Sequence, residues 1–121
     1  MASPGLGRLR KGLEFDGVYR EGTVLNGPLF VLRARANQLD RDRWGFAVGK
    51  KLAPQAVERN LVRRRLREGA RQVELERRTG GANAWSDFVV TAKAPCLNAS
   101  LPSMTVELAR LCERAGTGPQ K

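Results

Sequence analysis

Apolar residues recur every three or four positions in some stretches of the chain and every second position in others. The order read from them is helix, strand, strand, helix, strand, helix. In Arg8–Arg20 (RLRKGLEFDGVYR), Leu9, Leu13, Phe15 and Val18/Tyr19 fall near helical spacing. This predicts a short helix, weakened by Gly12 and Gly17. Gly22 and the Asn26-Gly27-Pro28 cluster then break the helix and lead into a strand. Leu29–Ala36 (LFVLRARA) begins apolar and becomes alternating, which sets Arg33 and Arg35 on one face. Asn37–Asp42 is a polar turn, and Arg43–Val48 (RWGFAV) is a second strand, expected to pair with the first as an antiparallel hairpin.

The strongest periodicity follows Pro54, a residue suited to the approach to a helix because it has no backbone N–H to lose there. From Ala56 the pattern gathers Val62, Leu66, Ala70 and Val73 on one side, with Asn60, Arg63, Arg64, Arg67 and Arg71 roughly opposite. It runs through Leu75 toward Arg78, and Gly80-Gly81 should stop it. Ser86–Lys93 (SDFVVTAK) reads as a third strand. Its apolar run Phe88–Val90 suggests a central position buried on both faces. Ser100–Ala115 closes the order as a helix with Leu101, Met104, Val106, Leu108 and Leu111, and its late Arg110 and Arg114 complement the helix dipole. The expected architecture is α/β (α+β): a two-layer sandwich in which a small mixed sheet is covered by helices. Residues 8–115 are expected to form one domain, with tails at 1–7 and 116–121.

Charge changes the picture more than composition does. Twenty-two Lys and Arg against twelve Asp and Glu leave a net charge of +10 on 121 residues. That excess favours a polyanionic partner: RNA, DNA or an anionic membrane surface. It is concentrated in Ala56–Arg71, which holds arginine at 59, 63, 64, 65, 67 and 71 and only Glu58 and Glu68 to offset it. A merely solvated helix face would need more acidic partners at helical spacing. Arginine also suits this role, since a guanidinium grips a phosphate with two hydrogen bonds and can stack on a base.

With no histidine in the chain, histidine general-base catalysis and histidine metal ligands are excluded. Cys96 and Cys112 lack paired zinc-site spacing and read as reduced packing residues. No apolar run approaches membrane-spanning length and no signal-peptide pattern opens the sequence, so a cytoplasmic location is expected. A membrane-surface role is disfavoured, because the apolar face of the arginine helix has no Trp or Phe. DNA is also not expected: the helix lies between strands, without the short turn to a second helix of a helix-turn-helix.

The ordered set Gly45-Phe46-Ala47-Val48-Gly49-Lys50-Lys51, Ala56-Val57, Arg59-Asn60, Arg63-Arg64 and Arg67-Glu68 resembles the signature of the bacterial ribonuclease P protein component. Phe15 and Tyr19 in the first helix, Phe30-Val31-Leu32 and Asp87–Ala92 extend the resemblance over nearly the whole chain. The resemblance implies a fold like a domain of ribosomal protein S5, with a left-handed strand-helix-strand crossover around the arginine helix, against the usual handedness. It also implies a protein subunit that binds the catalytic RNA of ribonuclease P and assists removal of the 5′ leader from precursor tRNA. Catalysis would rest on Mg2+ held mainly by RNA, with no catalytic or metal-binding residue in the protein. The alternative class is a ribosomal or ribosome-assembly protein that binds RNA without a role in cleavage.

Carried over by position, the resemblance implies that Lys50, Lys51, Arg59, Asn60, Arg63, Arg64, Arg67 and Arg71 face RNA. Phe15, Tyr19 and Arg33 would line a cleft for the single-stranded leader, where stacking tolerates any sequence. Phe15 can equally be a core aromatic, whereas the Tyr19 hydroxyl wants water or a partner. Glu14 and Asp16 lie near that cleft, but lone carboxylates on a basic surface usually serve as salt-bridge partners. This chain departs from the family pattern in three places. Leu61 stands where a second arginine is usual, which should weaken RNA contact. Arg33 replaces a frequent aromatic, which suggests a phosphate or cation–π contact. Gly69-Ala70 replaces an alanine and a bulky aromatic, and the glycine should cost the helix about 1 kcal/mol relative to alanine.

Overall fold

The computed structural model describes residues 7–10, 12–39, 41–79 and 85–115. Both expected tails, apart from Gly7, and the Gly80-Gly81 helix stop lie outside the described residues. The elements are α1 (Leu13–Glu21), β1 (Thr23–Asn26), β2 (Phe30–Ala36), β3 (Arg43–Ala47), α2 (Ala56–Thr79), β4 (Ser86–Ala92), a short 3-10 turn (Ala94–Asn98) and α3 (Leu101–Arg114).

The four strands form one mixed sheet in the order β1-β2-β4-β3. β2 pairs antiparallel with β1 (Leu25 opposite Leu32) and with β4 (Leu32 opposite Val90), whereas β3 runs parallel to β4 (Phe46 opposite Val90). The expected β2–β3 hairpin is therefore corrected. β4 lies between them, and its central place is the two-sided burial read from its apolar run: Ser86 through Val90 are all buried. A parallel β3–β4 pair needs a long crossover, and α2 supplies it.

The first helix is also shorter than predicted. Arg8 bridges Trp44 in the manner of a strand, and backbone bonds Leu9 N–H to Trp44 O (2.9 Å) and Trp44 N–H to Gly7 O (2.8 Å) hold that segment against β3. Leu9 is drawn into a small cluster with Val18 and Val89, a burial that outweighs helical continuation through Arg8–Arg10.

The main core lies between the sheet and the pair α2 and α3. Phe30, Leu32, Ala34, Trp44, Phe88 and Val90 from the strands meet Val62, Leu66, Ala70 and Val73 of α2 and Met104, Leu108 and Leu111 of α3. All four positions assigned to the buried face of α2 are in it. Gly69 is part of this packing, since a methyl group there would come within 3.3 Å of Leu108 Cδ1 and Thr105 Oγ1. The missing side chain leaves α2 and α3 in close contact at this point. Ser100 caps α3 by accepting from Ser103 N–H at 3.2 Å. Cys96 and Cys112 are free and buried, and burial pushes their thiols up to about 11 and about 12.

A polar lock fixes the start of the β3–β4 pair. Arg77 donates to Asp42 through Nε (2.7 Å) and Nη2 (3.0 Å), and Asp42 Oδ1 also accepts Ser86 N–H at 2.8 Å. Glu74, one turn earlier on α2, accepts Trp44 Nε1–H at 3.1 Å and Arg78 Nε at 3.3 Å. The Arg77 guanidinium stacks 5.3 Å over Phe88, itself 4.4 Å from Trp44. α1 covers part of the opposite sheet face, leaving the remainder open.

Candidate nucleic-acid interface

Burial of Val62, Leu66, Ala70 and Val73 forces the positions opposite them outward, so the core of α2 dictates where its cations go. Arg64 and Arg71 are exposed, and Arg63 and Arg67 are half-buried along their stems. Arg63 Nη1 donates to Asn60 Oδ1 at 3.2 Å, while Arg67 lies 6.0 Å over the ring of Phe46 and so leans toward the β3 edge. Arg71 pairs with Glu68 at 3.1 Å, a bridge about half exposed on both sides. Among the described residues, Arg59, Arg63, Arg64 and Arg67 make no ion pair with a carboxylate. Uncompensated guanidinium groups on one helix face are an electrostatic seat for phosphates.

Lys50 and Lys51 are exposed in the turn between β3 and α2, just ahead of the helix. Arg59 is turned differently from its neighbours, toward the backbone of Ala53 and Pro54. Leu61 is 43% exposed and contributes neither to the core nor to the basic stripe.

The second group of predicted residues meets on the other sheet face. Phe15 and Tyr19 lie one turn apart on α1, with ring centroids 6.4 Å apart. The Arg33 guanidinium sits 4.7 Å over the Tyr19 ring. Phe15 packs beside Leu9, Val18 and Val89, and it remains half-buried rather than enclosed. It can do so because Gly45 lies beneath it, where a methyl group would stand 2.4 Å from Phe15 Cζ. Residues that the sequence did not assign to the cleft complete this face. Thr91 receives a long 3.5 Å contact from Arg33 Nη1, and Val31 and Ala47 flank Thr91 in register on β2 and β3. Their signal was the two-residue period that already set Arg33 and Arg35 on one side.

Of the two carboxylates anticipated near that cleft, Glu14 is engaged, whereas the exposed Asp16 makes no ion pair among the described residues. Glu14 Oε2 bonds Arg43 Nη1 at 3.1 Å and Oε1 accepts Arg10 N–H at 2.6 Å. Arg43 also chelates the buried Asp87 through Nε and Nη2, both at 2.8 Å, and this hydrogen bonding raises the guanidinium pKa further. Among the described residues, no cluster of three His, Cys, Asp or Glu could cage a metal ion. No helix among them is long and apolar enough to cross a membrane.

Residues 4–116 match the family model described as Ribonuclease P. A ribonuclease P protein component of Azoarcus sp. is 37% identical over 110 residues, spanning 91% of this chain and 87% of the relative. One from Roseiflexus castenholzii is 34% identical over 110 residues, spanning 90% and 85%. Among solved structures, the RNase P protein of Staphylococcus aureus superposes with a TM-score of 0.74 at 25% identity, covering 92% of this chain and 96% of that one. The RNase P protein of Thermotoga maritima gives 0.73 at 26%, covering 88% and 96%.

Proposed function

The chain belongs to the ribonuclease P protein family, and we propose on that basis that it is the RNA-binding protein subunit of a ribonuclease P ribonucleoprotein engaged in tRNA processing. The observation that carries the reading at the level of residues is the uncompensated arginine face of α2 beside the Lys50–Lys51 turn. Lys50, Lys51, Asn60, Arg63, Arg64, Arg67 and Arg71 contact the phosphates of the ribonuclease P RNA, with Arg59 at the root of the same face. The rings of Phe15 and Tyr19 and the guanidinium of Arg33 receive the single-stranded 5′ leader of precursor tRNA on the opposite sheet face.

In this reading the reaction centre lies in the RNA subunit. Mg2+ held there would supply an activated water and offset charge on the scissile phosphate. Near the cleft, Glu14 and Asp87 are bound to Arg43, and Mg2+ prefers phosphate oxygens and water. The chain's contribution is to neutralise RNA phosphates and to hold the leader in place. The cytoplasm, where precursor tRNA is made in bacteria, is the matching location.

The direct test is cleavage of a precursor tRNA by a bacterial ribonuclease P RNA at low Mg2+, with and without the protein. Stimulation that disappears in Arg63→Ala/Arg67→Ala supports the reading. Tight RNA binding without stimulation would favour a ribosomal or assembly role.

A further inference from the structure

Arg59 is the one arginine of the basic stripe whose guanidinium is committed to its own backbone. Nη1 donates at once to Ala53 O (2.9 Å) and Pro54 O (2.8 Å). Those two carbonyls end the turn that carries Lys50 and Lys51, and the turn is closed from its other side by Leu52 N–H and Ala53 N–H, both bonded to Gly49 O (3.2 and 3.0 Å). Ala53 is fully buried in the core it shares with Val62 and Leu66 of α2, so the turn has a fixed foot, but both lysines are exposed, and among the described residues the two Arg59 bonds are the only side-chain hydrogen bonds between the turn and α2. Nε and Nη2 of Arg59 make no hydrogen bond among the described residues. One edge of the guanidinium therefore braces the turn, and the other remains able to meet a phosphate.

We infer that Arg59 is a positioning residue: it locks the Lys50–Lys51 turn onto the first turns of α2, so that both ammonium groups act together with the arginine stripe. The inference rests on the RNA-binding reading above and deepens it. Without the brace, more of the ordering of Lys50 and Lys51 would fall to the RNA itself, and each immobilised long side chain weakens binding. A guanidinium can serve carbonyls and a phosphate together because its donors are spread over a rigid fork, whereas an ammonium presents a single nitrogen.

Two measurements test this. In the free protein, hydrogen exchange at the Leu52 and Ala53 amides should accelerate severalfold in Arg59→Ala. Unchanged protection would overturn the brace whether or not RNA binds. In binding to ribonuclease P RNA, Arg59→Ala should weaken affinity about tenfold and lower the salt slope by more than the ~0.7–0.9 that one phosphate contact accounts for. In a Lys50→Ala/Lys51→Ala background the same change should cost clearly less than in the wild type, leaving only the single phosphate contact of Arg59 itself, because the residues otherwise act as a unit. An equal cost in both backgrounds, or a slope change limited to one contact, would make Arg59 an independent phosphate ligand and sink the inference. Arg59→Lys keeps the charge and guards against a folding defect. It should lose at least about threefold, and full affinity in that variant would leave only a charge effect. If the wild-type protein fails to bind the RNA, the functional reading falls, and amide exchange still decides the brace.

Discussion

The Arg33 guanidinium lies 4.7 Å over the ring of Tyr19 and joins a β2 side chain to α1 across the open sheet face. One face of Tyr19 is thereby occupied, so on the proposed function a stacked base would meet the other face or the outer side of the guanidinium. Tyr19→Ala should weaken binding of leader-bearing precursor tRNA by about 1–3 kcal/mol, the range for one base–aromatic stack, while mature tRNA is held as before. Arg33→Ala should reduce the salt dependence of the leader-specific increment. Equal losses on substrates with and without a leader would remove this face from leader recognition.

Gly45 is the seat of Phe15, since a methyl group there would stand 2.4 Å from Cζ and 2.6 Å from Cε1 of the ring. Gly45→Ala must push the ring off β3. The expected result is a loss of about 1–3 kcal/mol in urea unfolding, as for an overpacked site, together with a smaller leader-dependent increment. Full stability and full leader discrimination in the variant would mean that Phe15 yields without consequence.

The arginine helix was legible from sequence because its core and its charges obey one period. Val62, Leu66, Ala70 and Val73 are buried as placed. Strand order was not legible. β2 and β3 are neighbours in sequence and look like a hairpin, and only long-range pairing puts β4 between them. The hint was already present in Phe88–Val90, because a strand buried on both faces needs partners on both edges. β1 gave no signal, being four residues long with three of them exposed. Tyr19 and Arg33 came together in the sequence reading only through the family resemblance, and the turn of Arg59 toward Ala53 and Pro54 has no signature in sequence.

Arg77 and Asp42 are both almost fully buried, and their bidentate pair anchors the end of α2 to the start of β3 and β4. Removing one partner leaves a charge without compensation in the core. Arg77→Ala or Asp42→Ala should cost about 3–5 kcal/mol, seen as a large drop in the urea midpoint. A drop below about 1 kcal/mol would show that water reaches the site.

Glu74 gives the fold a pH dependence near neutrality. Burial, and then the neighbouring Asp42 carboxylate, raise its pKa from 4.5 to about 7, against the lowering influence of Trp44 and Arg78. The folded state therefore holds a proton that the unfolded chain releases above pH 4.5. Its stabilising contribution is complete below that value and is lost as pH rises through 7, so stability falls from about pH 5 to 8. The slope is at most about 1.4 kcal/mol per pH unit for a single proton. Trp44 reports on the site directly, because its indole N–H donates to Glu74 at 3.1 Å. Chemical unfolding followed by tryptophan fluorescence should show this decline in the wild type and a flatter profile in Glu74→Gln, which keeps the shape and removes the titration. A profile of the same slope in both proteins would assign the pH dependence to another group.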